Sequence, residues 1–173
     1  DVVQKIEFLN KYIDKEHDSL GKYSSKLFTL SNFLRANQRI IKHQEVKQSD
    51  RDFLLEYWGS VFDNIEEWAQ LEEKSIYKCV LKEEYILTLS VVINAFGRLG
   101  YFFYTEKLDI DLLKGLKKID WLRCNTEWIG RVFNEQGRII GKEDSIIKIC
   151  NLIKKKLGLE LTREELVKEN ELR

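Results

Sequence analysis

The chain has 173 residues, of which 43% are hydrophobic and 34% charged, and its formal net charge is zero. This composition is typical of a folded domain that faces water, so it excludes a disordered segment. No apolar run approaches the roughly 20 residues that a membrane-spanning helix needs. The sequence therefore predicts no membrane partner.

Apolar residues at helical spacing predict long helices through the first part of the chain. Proline, which breaks helix interiors, is absent from the whole sequence. A second helix is predicted over 30–41 with Thr29 as its N-cap, and a long third helix from Ser49 to Leu71. The first helix is marked by Val2, Ile6, Leu9 and Ile13.

A fourth helix, predicted over 82–105, is apolar on most of its faces, as is typical of a central helix. Asn94 and Arg98 lie four residues apart on it and therefore share one face. We interpret both as structural polar residues of the core. Because a buried arginine needs a charged partner, we expect a carboxylate of the acidic third helix to neutralise Arg98.

An irregular segment follows the fourth helix. A short fifth helix is predicted to begin at Asp109 or Asp111 and to end near Ile119. Residues 120–141 contain three glycines and two tryptophans. This pattern predicts a loop with short helical turns and a small hairpin around Gln136–Gly137.

The last part of the chain predicts two helices. One covers 146–157 and ends at Gly158, and the other begins at the capping box of Thr162. The sequence contains no methionine, so we expect a fragment of a longer protein. The prediction for residues 1–173 is one compact all-α domain of about six to seven helices with one irregular loop that contains Gly, Trp and Arg.

The sequence indicates no chemistry of its own. It lacks a phosphate-binding loop, a dinucleotide-binding turn, HExxH and GxSxG, so we predict no catalytic residue, no metal and no cofactor. Cysteines are odd in number and form no CxxC motif, which predicts reduced thiols in a cytoplasmic protein. They are Cys79, Cys124 and Cys150.

Basic and aromatic residues alternate across the irregular segment. Arg131, Arg138 and Lys142 are candidates for contacts with DNA phosphates. Trp128 then either packs beneath these cations or stacks on a base. In the alternative interpretation, Trp121 and Trp128 anchor the loop to the helical core and the cations are solvated.

Charge is distributed unevenly along the chain. Residues 50–85 contain ten acidic and four basic residues, whereas residues 112–156 contain eleven basic and five acidic ones. The basic stretch is either a partner surface or the complement of the acidic one within the fold. The run Lys154–Lys156 is likewise either a DNA contact or a set of cations favoured at a helix C-terminus.

Several stretches carry a family resemblance. They are Lys26–Ser31, Ala95–Gly100, Ile119–Asn125, Trp128–Arg131 and Ile153–Glu165. In this order they resemble the DndB family, the DGQHR-domain proteins associated with DNA phosphorothioation gene clusters. The DGQHR motif itself is absent from this chain. The resemblance therefore corresponds to the C-terminal helical region of the family.

The resemblance implies a DNA-binding regulator of DNA sulfur modification, with relatives that take part in DNA nicking or bacterial defence. Its implied partners are DNA, the DGQHR region of the same protein and a second copy in a homo-oligomer. Asp120 joins Asn94 and Arg98 as a structural polar residue. The DNA-binding candidates are Asn125, Trp128, Arg131, Arg138, Lys142, Lys154 and Lys155.

Two other functions stay open at this point. In the first, the chain is a scaffolding domain whose acidic face around Glu66–Glu73 docks a basic partner or the DGQHR region. In the second, the chain is a non-catalytic part of a DNA-nicking enzyme, and the catalytic residues lie outside it.

Overall fold

A computed structural model of the chain describes residues 6–21, 24–43 and 45–172, and these residues form a helical fold. The α-helices are α1 Glu7–Tyr12, α2 Leu30–Ile40, α3 Gln48–Asp63, α4 Glu66–Glu72, α5 Lys78–Glu84, α6 Ser90–Glu106, α7 Glu143–Lys156 and α8 Arg163–Asn170. Two 3-10 helices cover Ile110–Lys118 and Thr126–Trp128, and two short strands are β1 Ile13–Asp14 and β2 Phe28–Thr29. The predicted all-α class is confirmed.

The first helix ends one residue before its apolar pattern suggests. Val2 lies outside the described residues, and α1 ends at Tyr12 because Ile13 leaves the helix to pair in parallel with Phe28. The Leu27 amide donates a hydrogen bond of 2.9 Å to the Tyr12 carbonyl and continues this pairing. A long-range backbone contact therefore ends α1.

The predicted long third helix is two helices, α3 and α4. The break falls at Asn64, whose side-chain amide donates to the Ser60 carbonyl at 2.7 Å, and at Ile65, which is extended. An Asn side chain that bonds to nearby backbone offers the chain an alternative to the helix. The apolar stripe nevertheless continues across the break, because Ile65 and Trp68 are both buried.

The predicted fourth helix is also divided, into α5 and α6. Between them the chain leaves the helix and forms a turn, which the Leu89 amide closes on the Ile86 carbonyl at 3.0 Å, and the Ile86 amide donates to the Trp121 carbonyl at 3.1 Å. Tyr85 forms an antiparallel bridge with Leu122. The buried apolar residues of this stretch therefore belong to a non-helical turn that pairs with the irregular loop.

Helix α6 is the centre of the fold, as predicted. Ten of its residues are buried. It crosses α2 at very short range, because a Cβ atom on Gly97 would lie 2.7 Å from the Ala36 carbonyl oxygen. The Tyr57 hydroxyl on α3 donates to the Phe96 carbonyl of α6 at 2.6 Å, and the Phe62 and Trp68 rings pack with centroids 4.4 Å apart.

The predicted cap, hairpin and helix end in the second half of the chain are confirmed. Asp109 caps the 3-10 helix Ile110–Lys118 through the Asp111 amide. The predicted hairpin closes between Asn134 and Arg138, whose backbone hydrogen bond is 2.9 Å long. Gly158 follows the last turn of α7 with φ +75°.

The capping box at the start of α8 is confirmed as well. The Glu165 amide donates to the Thr162 hydroxyl at 3.3 Å, and the Thr162 amide donates to the Glu165 carboxylate at 2.9 Å.

Among the described residues, no helix combines the length and the apolar character that crossing a bilayer demands.

Candidate nucleic-acid interface

The tryptophans of the irregular loop are buried. Trp121 and Trp128 stack at 5.7 Å with an interplanar angle of 13°, and their exposed fractions are 1% and 0%. The Trp128 ring nitrogen donates to the Asp120 carbonyl at 3.0 Å. A completely covered ring has no face on which a base could stack. The placement therefore matches the alternative interpretation, in which both rings anchor the loop.

Two polar residues beside this pair organise the loop backbone. The Asn125 side chain accepts from the Glu127 amide and donates to the Asp120 carbonyl, each at 3.0 Å. The Asp120 carboxylate is exposed and accepts from the Leu122 amide at 2.9 Å. Asp120 is therefore not a residue of the polar core, because its carboxylate holds a turn at the surface.

Arg131 is enclosed by acceptors of the protein itself. Its guanidinium donates to both Glu169 oxygens at 2.6 and 2.8 Å, to the Lys148 carbonyl at 2.7 Å and to the Glu127 carbonyl at 3.1 Å. The Arg131 hydrogen bonds are the main reason why the pKa of Glu169 is lowered to about 2. Because the residue is 8% exposed, we reassign it from DNA contact to fold stability.

Lys154 is also an internal cation. Its side chain is 0% exposed, its ammonium lies 2.7 Å from a Glu165 oxygen, and the same nitrogen lies 3.8 Å from the centre of the Phe102 ring. We therefore remove it from the DNA-binding candidates. Lys155 points outward but is paired with Glu169 at 3.0 Å.

The partner of Arg98 differs from the expected one. Arg98 meets Glu165 of α8 at 3.4 Å, rather than a carboxylate of the acidic third helix. Helix α8 folds back against α7 and brings Glu165 to a buried position between Arg98 and Lys154. The terminal helix therefore supplies the counter-charge for the centre of the fold.

Two of the exposed candidates, Arg138 and Lys142, adjoin a cleft between α2, the start of α6 and the start of α7. This cleft has a volume of about 470 Å3. Ile139 and Gly141 line it, and the exposed cations Arg138 and Lys142 are their chain neighbours. The opposite wall carries Arg35. We call the three cations Arg35, Arg138 and Lys142 the cleft rim.

A fourth cation, Arg39, lies inside the cleft in a fixed position. Its guanidinium forms two hydrogen bonds of 2.7 Å with the Glu143 carboxylate, and its Nε donates to Asn94 at 3.0 Å. The hydrogen bonds from Arg39 lower the pKa of Glu143 below its usual value. Asn94 is buried, and Arg39 donates to its side chain.

Sequence reasoning missed both arginines of α2. Arg39 and Glu143 are 104 residues apart, so no local spacing links them. The available signal was the four-residue spacing of Arg35 and Arg39, which places two cations on one helix face. The fold brings the segment that contains Arg138 and Lys142 to the same cleft and leaves Lys155 about 20 Å away, at the other end of α7.

Within the described residues, no group of three His, Cys, Asp or Glu side chains is arranged to hold a metal ion. Burial raises the pKa of the Cys150 thiol to about 12, so this thiol is protonated near neutral pH. The charged side chains that line the cleft are Arg35, Arg39 and Glu143.

Comparison with protein families matches residues 1–160 to DndB, a family described as DNA-sulfur modification-associated. This match confirms the resemblance found in the sequence. Neither the search of curated proteins nor the search of solved structures produced a match.

Proposed function

This chain belongs to the DndB family, which is associated with DNA sulfur modification, and on that premise we propose that it contacts duplex DNA as a regulatory component of such a system. The proposed contact surface is the cleft rim of Arg35, Arg138 and Lys142. Its cations bind backbone phosphates, which positions the protein on the duplex without specifying a sequence.

The observation that carries this proposal is the difference between the internal and the exposed cations. Arg131 and Lys154 are buried and neutralised by Glu169 and Glu165. The three cations of the cleft rim are exposed and have no carboxylate partner within the described residues. An uncompensated group of cations around a cleft attracts a polyanion.

Removal of two cleft-rim cations tests the proposal. For the double variant Arg138→Ala and Lys142→Ala, we expect weaker duplex binding and a salt slope that is smaller by about 2, because each lost phosphate contact removes about 0.9. Fluorescence anisotropy over a series of salt concentrations measures both quantities. Lys117→Ala with Lys118→Ala, two exposed lysines of the 3-10 helix, is the matched control. Equal slopes for the two double variants would rule out the cleft rim.

A substitution in the Arg39–Glu143 pair is expected to strengthen duplex binding, in contrast to the loss of cleft-rim cations. The substitution Glu143→Gln removes the negative charge that accepts hydrogen bonds from both terminal nitrogens of the Arg39 guanidinium. A DNA phosphate then takes the place of the carboxylate, and we expect duplex affinity to rise about fivefold, equivalent to about 1 kcal/mol.

Asp144→Asn is the control for that substitution, because it removes the same charge from the neighbouring position. Asp144 pairs with Lys168 at 3.2 Å and does not contact Arg39. A smaller rise is expected from Asp144→Asn than from Glu143→Gln. The same rise in both variants would show a general effect of net charge and no role for Arg39.

A second candidate function is docking of a basic partner, with the DGQHR region as one such partner. Four glutamates are exposed and have no ion-pair partner among the described residues: Glu66 of α4, Glu73 directly after it, and Glu83 and Glu84 of α5. By contrast, Glu72 is paired with Lys11 at 3.0 Å. Sedimentation of the chain alone and with the separately expressed DGQHR region tests this function. A stable complex together with absent DNA binding would favour it over the cleft rim.

A further inference from the structure

A second basic surface lies outside the cleft and shares no lining residue with it. This groove runs between the end of α1, the 24–26 loop and the turn from α4 to α5, and its volume is about 400 Å3. That size lies within the range of small-molecule sites. The described residues that line it include no carboxylate, and its functional side chains are Lys11, Tyr12, Lys26, Lys74, Tyr77 and Lys78.

Backbone carbonyls, rather than carboxylates, hold most of these lysines and their neighbour Lys82. The Lys78 ammonium donates to the Ser25 carbonyl at 3.1 Å, and the Lys82 ammonium donates to the Ser24 carbonyl at 2.7 Å. The Lys26 ammonium donates to the Lys11 carbonyl at 2.8 Å. A carbonyl orients an ammonium group without cancelling its charge, so positive charge accumulates along the groove.

The like charges of Lys78 and Lys82 lie close enough to affect each other. Burial lowers the pKa of Lys82, and the nearby charge of Lys78 lowers it further. Glu72 compensates Lys11 at 3.0 Å. The fold therefore concentrates like charges here, and a bound anion would relieve their repulsion.

The backbone conformation of Lys74 also favours an anion-binding role for the groove. It occupies the C′ position after α4 with φ +59°, a backbone region where glycine is usual. The Lys74 amide donates to the Leu71 carbonyl at 3.2 Å, and the Ser75 amide donates to the Gln70 carbonyl at 2.9 Å. Glycine would close this turn with less strain, but it would not place an ammonium group at the groove.

Tyr77 adds an aromatic surface beside the lysines. It is the N-cap residue of α5, and 73% of it is exposed. Exposed aromatic rings next to cations are the usual elements of sites that bind single-stranded nucleic acid, where the ring stacks on a base and the cations contact phosphates.

We infer that the groove binds a nucleotide unit, with the base stacked on Tyr77 and the phosphate among Lys26, Lys74 and Lys78. Either an unpaired nucleotide of a DNA strand or a free nucleotide supplies this chemistry. The inference does not rest on the cleft rim. The double variant Arg138→Ala and Lys142→Ala therefore keeps binding at the groove, and failure of one site is distinguishable from failure of the other.

The first test measures anisotropy with a short labelled thymidine oligonucleotide, and thymidine monophosphate and inorganic phosphate serve as competitors. We expect Tyr77→Ala to weaken strand binding about tenfold, and Tyr77→Phe to retain it because phenylalanine also stacks. A strand that binds much more tightly than the monophosphate assigns the site to DNA, and equal affinities assign it to a free nucleotide.

A second variant separates binding from folding. We expect Lys74→Gly to raise the melting temperature, because glycine is favoured at positive φ, and to weaken binding of the oligonucleotide about fivefold. Lys118→Ala is the exposed-lysine control. Unchanged binding in both Lys74→Gly and Tyr77→Ala would overturn the inference. The inference would also be overturned if inorganic phosphate or an acidic peptide competed as strongly as thymidine monophosphate.

Discussion

Replacement of Arg131 with alanine is expected to lower the free energy of unfolding by about 3 kcal/mol, because the nearly buried Glu169 carboxylate loses both guanidinium hydrogen bonds and keeps only the half-exposed Lys155 as a partner. The side chains of Arg131 and Glu169 are only 10% and 13% exposed, and the guanidinium also satisfies the Lys148 and Glu127 carbonyls. Urea denaturation measures the loss. Arg138→Ala, which removes an exposed arginine of the same segment, is expected to change stability by less than about 0.5 kcal/mol.

The pH dependence of stability gives an independent measure of the same pair. The pKa of Glu169 is lowered from 4.5 to about 2 in the folded protein. A carboxylate with a depressed pKa stabilises the fold fully above its unfolded-state pKa, and this stabilisation is lost as pH falls through the folded-state pKa. The wild type therefore loses this contribution between about pH 5 and pH 2.

The Arg131→Ala variant is expected to lose less stability over that pH interval than the wild type. An Arg131→Ala variant that unfolds like Arg138→Ala and keeps the acid dependence of the wild type would contradict the structural role. If it also lost salt-dependent DNA binding while remaining folded, Arg131 would return to the DNA-binding candidates.

The second large effect is expected at Gly97, where α6 crosses α2. Gly97→Ala should lower the free energy of unfolding by about 2 kcal/mol or more, because an added methyl group in a tight contact forces the helices apart. Its Cβ would lie 2.7 Å from the carbonyl oxygen and 2.8 Å from the Cα atom of Ala36. Both are backbone atoms, so neither can move aside without a shift of α2. Thermal or urea denaturation measures the change.

Gly59→Ala is the matched control for that substitution. Gly59 also lies within a helix, α3, but a Cβ there meets no atom within 4 Å. Alanine is preferred over glycine in a helix interior, so a gain of about 0.5 to 1 kcal/mol is expected. Equal gains from both substitutions would show that α2 and α6 are not in close contact at Gly97.

Local signals in the sequence predict the local parts of the fold. Thr29 caps α2 by accepting from the Asn32 amide at 3.4 Å, and Thr162 and Gly158 mark the start of α8 and the end of α7 as predicted. These features depend on residues within one helical turn of each other, so their spacing is sufficient to identify them.

Features set by distant pairing were not predictable in this way. Residues 85–89 have the apolar character of the adjacent helix, yet Ile86 pairs with Trp121 and the chain forms a turn between two helices. An apolar run alone does not distinguish a buried helix from a buried extended segment. The helix boundary therefore depends on a contact that the local pattern does not contain.

The candidate site shows the same limit. Sequence spacing draws attention to the basic segment, but whether a cation is available depends on the carboxylate that the fold brings to it. Glu169 and Glu165 of α8 neutralise Arg131 and Lys154, and their chain separations are 38 and 11 residues. Burial of these cations follows from the position of α8 and not from their own surroundings in the sequence.

The most direct test of the central claim, that this chain itself contacts DNA phosphates, is anisotropy of the folded chain with a labelled duplex at several salt concentrations. The cleft rim of Arg35, Arg138 and Lys142 predicts binding whose logarithm falls linearly with the logarithm of salt concentration, with a slope near −3 for about three phosphate contacts. Absence of binding at low salt, or binding that does not respond to salt, would contradict the claim.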